Sequence, residues 1–101
     1  CYITEISNST DDIEVSIARA RVEPGVTTKL HCLKEVTERY VILDGEGLVE
    51  IDSTESYIVA VGDVVIIPPM CSQKITNTGA VDLMFLAICT PRFSKDCYQE
   101  Q

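Results

Sequence analysis

The sequence predicts an all-β fold, a small sandwich or closed barrel, and three observations point there. Apolar and polar residues alternate with a period of two through most of the chain, the spacing of half-buried strands. Turn-forming pairs (Pro24-Gly25, Asp44-Gly45, Gly62-Asp63, Pro68-Pro69) interrupt that alternation at short intervals, as in β-sandwiches and barrels. No 3.6-residue apolar stripe persists beyond about one turn, apart from a short helical turn expected in the tail after Phe93.

The elements follow in order. From Glu14 to Pro24 the segment places Val15, Ile17, Arg19 and Arg21 on one face and Ser16, Ala18, Ala20 and Val22 on the other. After the Pro24-Gly25 turn, Thr27 to Leu33 reads as a second strand and Glu38 to Leu43 as a third. Asp44-Gly45 is a hairpin signal, because glycine tolerates positive φ, so Gly47 to Ile51 is expected to return antiparallel. Tyr57 to Val61 and Val64 to Ile67 flank Gly62-Asp63, and Pro68-Pro69 stops the latter strand. Gln73 to Thr76 and Leu83 to Thr90 complete the set, with Asn77 bracing the turn through Gly79.

With 101 residues, 46% of them apolar, the chain suits one domain spanning 1–101 and a modest core. Dimerisation would protect its edge strands. Net charge is −8 and the pI about 4.4, a field that repels phosphate backbones and anionic headgroups; nucleic acid and membrane surfaces are not expected partners. No apolar window reaches the roughly 18 residues of a membrane-crossing helix, and no basic, apolar leader is visible. Five cysteines at irregular positions, with one histidine and no CxxC, exclude a zinc cluster or a thioredoxin motif and suit a reducing cytoplasm. A bridge between Cys1 and Cys97, near the two ends, is left open.

Two stretches carry the functional signal. The first runs Gly25, five residues, His31-Cys32-Leu33, four residues, Glu38, six residues, Gly45. The second runs Gly62, five residues, Pro68-Pro69-Met70, two residues, Gln73, three residues, Asn77. At these spacings the chain resembles the cupin superfamily, in the small single-domain form with one conserved barrel. The resemblance implies a double-stranded β-helix, or jelly-roll, barrel with its first motif at 25–45 and its second at 62–77. It also implies a metal ion held by three histidines and a glutamate. This chain keeps His31 and Glu38 but has Leu33 and Gln73 at the other two ligand positions, and Met70 where the family has glycine. Small cupins are often dimers, so the resemblance also implies a homodimer.

Strand parity sharpens the expected pocket. His31 and Leu33 point together and Cys32 points opposite, while Glu38, Tyr40 and Ile42 share a face. The resemblance places Gln73 across the barrel from His31 and Glu38. The candidate binding pocket is therefore His31, Leu33, Glu38, Tyr40 and Gln73, with His31, Glu38 and Gln73 as candidate ligands for one divalent ion. Imidazole plus carboxylate suits iron, manganese, nickel or zinc. The competing arrangement needs no metal: Glu38 accepts hydrogen bonds from the Gln73 amide and from a His31 N–H. Tyr40 reads as a pocket wall whose hydroxyl finds a partner. Arg19 and Arg21 read as solvated or interface residues, the alternative being a pair that meets a carboxylate ligand at the barrel mouth. Cys71 and Cys89 read as small apolar residues, and Arg92 as pairing with an acid.

Three functions fit these residues. One is a barrel that binds a small organic ligand without turnover. Another is a metal-dependent isomerase, lyase or dioxygenase, and the third is a structural or regulatory dimer.

Overall fold

The computed structural model describes residues 1–101. Ten strands form: β1 (Tyr2–Ser7), β2 (Ser16–Val22), β3 (His31–Leu33), β4 (Thr37–Asp44), β5 (Glu46–Ile51), β6 (Glu55–Ala60), β7 (Val64–Ile67), β8 (Gln73–Asn77), β9 (Leu83–Thr90) and β10 (Tyr98–Glu100). A single 3-10 turn, Lys95–Cys97, precedes β10, in the tail where a helical turn is expected. The strands make two five-stranded antiparallel sheets, ordered β1-β2-β9-β4-β7 and β10-β3-β8-β5-β6. The all-β jelly-roll architecture is therefore present.

Alternation decides which residues enter the core. On β2 the inward face is Ser16, Ala20 and Val22, each nearly inaccessible, while Arg19 and Arg21 lie on the outer face. Arg21 meets Asp82 at 3.1 Å and lies under the Tyr2 ring, so neither arginine reaches the barrel mouth. One apolar cluster fills the sandwich, including Val22, Ile42, Val49, Ile67, Ile75 and Leu83. A second, Leu33, Val36, Cys89 and Cys97, sits under the C-terminal tail with Phe93 packed on it. All five cysteines are free thiols, so the Cys1–Cys97 bridge does not form.

Several expectations change. Asp44-Gly45 is a corner and not a hairpin: β4 lies in one sheet and β5 in the other, where β5 pairs with β6 and β8. The positive φ of Gly45 (+80°) lets the chain cross between layers. The second expected strand shrinks to β3, because the Thr28 hydroxyl takes the Ile75 N–H at 3.0 Å in place of a ladder carbonyl and Thr27 forms only an isolated bridge to Thr76. Strand β1 was not legible, since it is an edge strand whose six residues are all exposed. Arg92 pairs with an amide and not an acid, its Nε donating to Asn8 Oδ1 at 2.7 Å.

The second motif keeps its turn despite losing glycine. Met70 adopts φ +68°, and its N–H donates to the Leu33 carbonyl at 2.8 Å. Asn77 braces the following turn as expected: its amide donates to the Val22 and Val81 carbonyls and its Oδ1 accepts from Gly79 N–H at 2.9 Å.

Candidate functional site

Three strands from both sheets deliver the polar residues. On β4, alternation turns Glu38, Tyr40 and Ile42 inward, all of them buried. On β3, His31 stands directly opposite Gln73 of β8, and cross-strand partners share a face. Gln73 is thus across the sandwich from Glu38 as expected but beside His31 within one sheet, which corrects the expected placement across from His31. Cys32 points the other way, buried against Gln99 and Gln101 of the tail, in line with its parity.

The contacts form a linear chain that does not include His31. Gln73 Nε2 donates to Glu38 Oε1 at 2.8 Å, and the Tyr40 hydroxyl donates to Gln73 Oε1. The second carboxylate oxygen, Glu38 Oε2, has one protein neighbour, the Cys89 thiol at 3.8 Å. His31 Nδ1 lies 2.8 Å from the Lys29 carbonyl, and its ring stacks on Tyr98 with centroids 5.2 Å apart. A neutral imidazole donating from Nδ1 keeps Nε2 as its free nitrogen.

A cavity of about 520 Å³ opens above this chain of contacts, between the two apolar clusters. Leu33, Tyr40, Phe85, Ala87 and Phe93 supply much of its wall, with Glu38 at the floor and His31 and Lys29 toward the rim. Gln73 stands behind Glu38 and Tyr40 and holds both. Of the five predicted pocket residues, His31, Leu33, Glu38 and Tyr40 line the cavity and Gln73 supports it.

Burial sets the proton affinities. Glu38 is held above the usual carboxylate range, first by burial; the Gln73 hydrogen bond, the charge of His31 and the Cys89 thiol each pull it back. Burial, then the Glu38 charge, pushes the Tyr40 hydroxyl well above its ordinary range. The Cys89 thiol is pushed up to about 12, again mainly by burial and then by Glu38. It is therefore a protonated, unreactive thiol at neutral pH.

A tightly held metal ion does not fit these donors. Both ends of the Gln73 amide are taken, Oε1 by Tyr40 and Nε2 by Glu38. Leu33 occupies a further ligand position with carbon, and nowhere in the chain do three His, Cys, Asp or Glu side chains converge. No buried side-chain nitrogen or oxygen lacks a partner, and the two atoms left lightly engaged, His31 Nε2 and Glu38 Oε2, are too few to hold an ion tightly.

Sequence reasoning missed the aromatic residues of the tail. Phe93 and Tyr98 line the cavity and meet edge to face, 6.5 Å between centroids. Strand β10 is three residues long and carries one apolar side chain, too little for alternation to register. Cys89 and Ala87 could have been found by parity, since they share the face of Phe85 on a strand that was predicted.

Comparison with known proteins agrees with this architecture. A family model described as Cupin domain matches residues 18–89. An uncharacterized protein of Methanocaldococcus jannaschii is 38% identical over 84 residues, covering 83% of this chain and 66% of that protein. An oxalate-binding protein of Thermotoga maritima is 38% identical over 71 residues, covering 70% and 58%. The chain thus spans only part of the length of these curated relatives. A crystal structure of a predicted oxalate decarboxylase from Thermotoga maritima superposes with a TM-score of 0.70 at 34% identity over 75% of this chain and 65% of that one. A Klebsiella pneumoniae protein with a double-stranded β-helix domain superposes with a TM-score of 0.86 over 98% of this chain and 82% of that one; at 13% identity it shows the shared fold alone. Both spaced motifs fall inside the matched segment and both sheets have the double-stranded β-helix arrangement, so the chain belongs to the cupin family.

Proposed function

We propose that this protein binds a small organic ligand inside the barrel without turning it over. The supporting observation is the floor of the cavity. Glu38 and Tyr40 satisfy both ends of the Gln73 amide, while the walls above them are mainly apolar and aromatic. A cavity of about 520 Å³ lies within the range of ordinary ligand sites. An oxalate-binding role, by analogy with the Thermotoga relative, calls for a cationic centre that Leu33 and a doubly bonded Gln73 do not supply.

The second reading is a metal-dependent enzyme, an isomerase, lyase or dioxygenase, with His31, Glu38 and Gln73 as ligands. Two observations support it: the register that pairs His31 with Gln73, and the Gln73–Glu38 hydrogen bond. It requires the Gln73 amide to leave Tyr40. Elemental analysis of protein purified without an immobilised-metal column decides between them, run beside the Leu33→His/Gln73→His variant. The binding reading expects sub-stoichiometric metal in the wild type and a sharp gain in the double variant. Stoichiometric iron, manganese, nickel or zinc in the wild type overturns it.

We further propose a homodimer working in the cytoplasm. Strand β1 offers an unpaired edge with exposed Ile3 and Ile6, a surface that a second copy would cover. Five free thiols suit a reducing compartment. Light scattering behind size exclusion tests the dimer: a monomer mass at micromolar concentration rejects it.

A further inference from the structure

The charges facing the cavity are distributed unevenly, and they specify what kind of molecule it takes. At the floor stands one carboxylate, Glu38, with Oε1 engaged by Gln73. Its Oε2 has only a weak thiol neighbour at 3.8 Å, so one strong acceptor on a 7%-exposed side chain is left facing the cavity. Glu5 of β1 adds a second carboxylate to the lining. Apart from the His31 ring toward the rim, the basic groups are peripheral: Lys29 has a side chain that is 79% exposed with its Nζ 3.6 Å from Glu100, and no arginine lines the cavity. The remaining wall is rich in π faces, Tyr40 against Phe85 at 4.5 Å and Tyr98 between His31 and Phe93.

A carboxylate acceptor set among aromatic faces attracts positive charge twice over, by hydrogen bonding and by the ring quadrupoles. The same floor repels an anion, since a low-dielectric pocket magnifies like-charge repulsion. Resting on the reading that this cavity binds a small organic molecule, we propose that the ligand is an apolar monocation. It is an alkyl- or arylammonium whose N–H groups donate to Glu38 Oε2 and whose carbon skeleton lies against Leu33, Phe85 and Ala87. Gln73 then acts as a positioning residue: it fixes Oε1 so that Oε2 is the oxygen presented.

Calorimetric titration of the full chain at neutral pH tests this with probes that share a skeleton and differ in charge: 2-phenylethylamine, 2-phenylethanol and phenylacetate, with oxalate as a compact dianion. The amine is expected to bind about tenfold or more tighter than the alcohol, the worth of a hydrogen bond to a charged group, and the two anions to give no binding heat. In Glu38→Gln, whose carbonyl can still accept from Gln73, the amine should lose most of its advantage over the alcohol. The order of the probes on the wild type stands as a test even where that variant fails to fold. If the alcohol or either anion binds as tightly as the amine, the ammonium assignment is overturned and the cavity remains a ligand site of another class. If no probe of any charge binds, both the assignment and the binding reading fall.

Discussion

Gln73 and Glu38 come from opposite sheets, 35 residues apart in the chain, and meet at 2.8 Å in the interior. Because the same amide accepts from Tyr40 through its other end, one side chain ties both layers together. The amide cannot turn over without placing its oxygen against a carboxylate oxygen and its NH2 against the Tyr40 hydroxyl. The orientation of the carboxylate at the cavity floor therefore depends on this residue.

Replacing Gln73 by leucine keeps much of the volume and removes both bonds. Two buried groups, the Glu38 carboxyl and the Tyr40 hydroxyl, then lose their partners, and we expect a loss of about 2–4 kcal/mol in urea unfolding. Glu38→Leu alone should cost about 1–3 kcal/mol by stranding the Gln73 amide. Combined, the two should cost less than their sum, by about 0.5–3 kcal/mol, because the second removes a group already orphaned. Strict additivity would mean that the contact does not matter in solution.

Much of this site was legible beforehand, for a definite reason. Parity on a strand is rigid, so once Glu38 is inward, Tyr40 and Ile42 must follow, and they do. Spacing within the two motifs likewise located His31 and Gln73. What sequence could not supply was sheet membership. Asp44-Gly45 carries the same residue signal whether the chain doubles back on itself or crosses to the other layer, and only long-range pairing with β8 and β9 decides. Two of the four edge strands were invisible for a related reason: β1 and β10 bury too little to leave a pattern.

Gly45 should prove the least replaceable turn residue. A Cβ built there would stand 2.8 Å from the Asp82 carbonyl oxygen and 3.0 Å from the Leu83 Cα, both backbone atoms. Its φ of +80° adds strain for any side chain. Gly62 shares the conformation, φ +92°, but has open space around the same position. Gly62→Ala should therefore cost about 1–2 kcal/mol, the left-handed penalty alone. We expect Gly45→Ala to cost distinctly more and Gly45→Val to prevent folding, read by thermal unfolding. Equal losses at the two sites would refute the close approach at the corner.

Met70 makes the opposite prediction. It holds a left-handed φ of +68° that glycine adopts freely, and its side chain is 57% exposed, so little packing is at stake. Met70→Gly should leave the turn unchanged and raise stability by up to about 1 kcal/mol, the relieved strain less the extra freedom of glycine in the unfolded chain. A loss of stability would mean that the methionine side chain contributes contacts that its exposure does not suggest.

The buried acids predict how stability changes with pH. Glu38, Tyr40 and Cys89 all hold their protons more tightly in the folded protein than in the unfolded chain. Between its unfolded and folded pKa each group binds more protons when folded, so its contribution is complete below the unfolded value and is lost as pH rises through the folded one. For Cys89 that window runs from 9.0 to about 12, and Tyr40 joins it above 10.0. The Glu38 share begins to be lost above pH 4.5, and the melting temperature should fall further on the alkaline side, beginning near pH 9. Cys89→Ala removes one of the groups responsible, so it should lower the melting temperature at neutral pH through lost packing yet flatten the decline between pH 9 and 11. A parallel decline in variant and wild type would show that this thiol is not kept protonated by its surroundings.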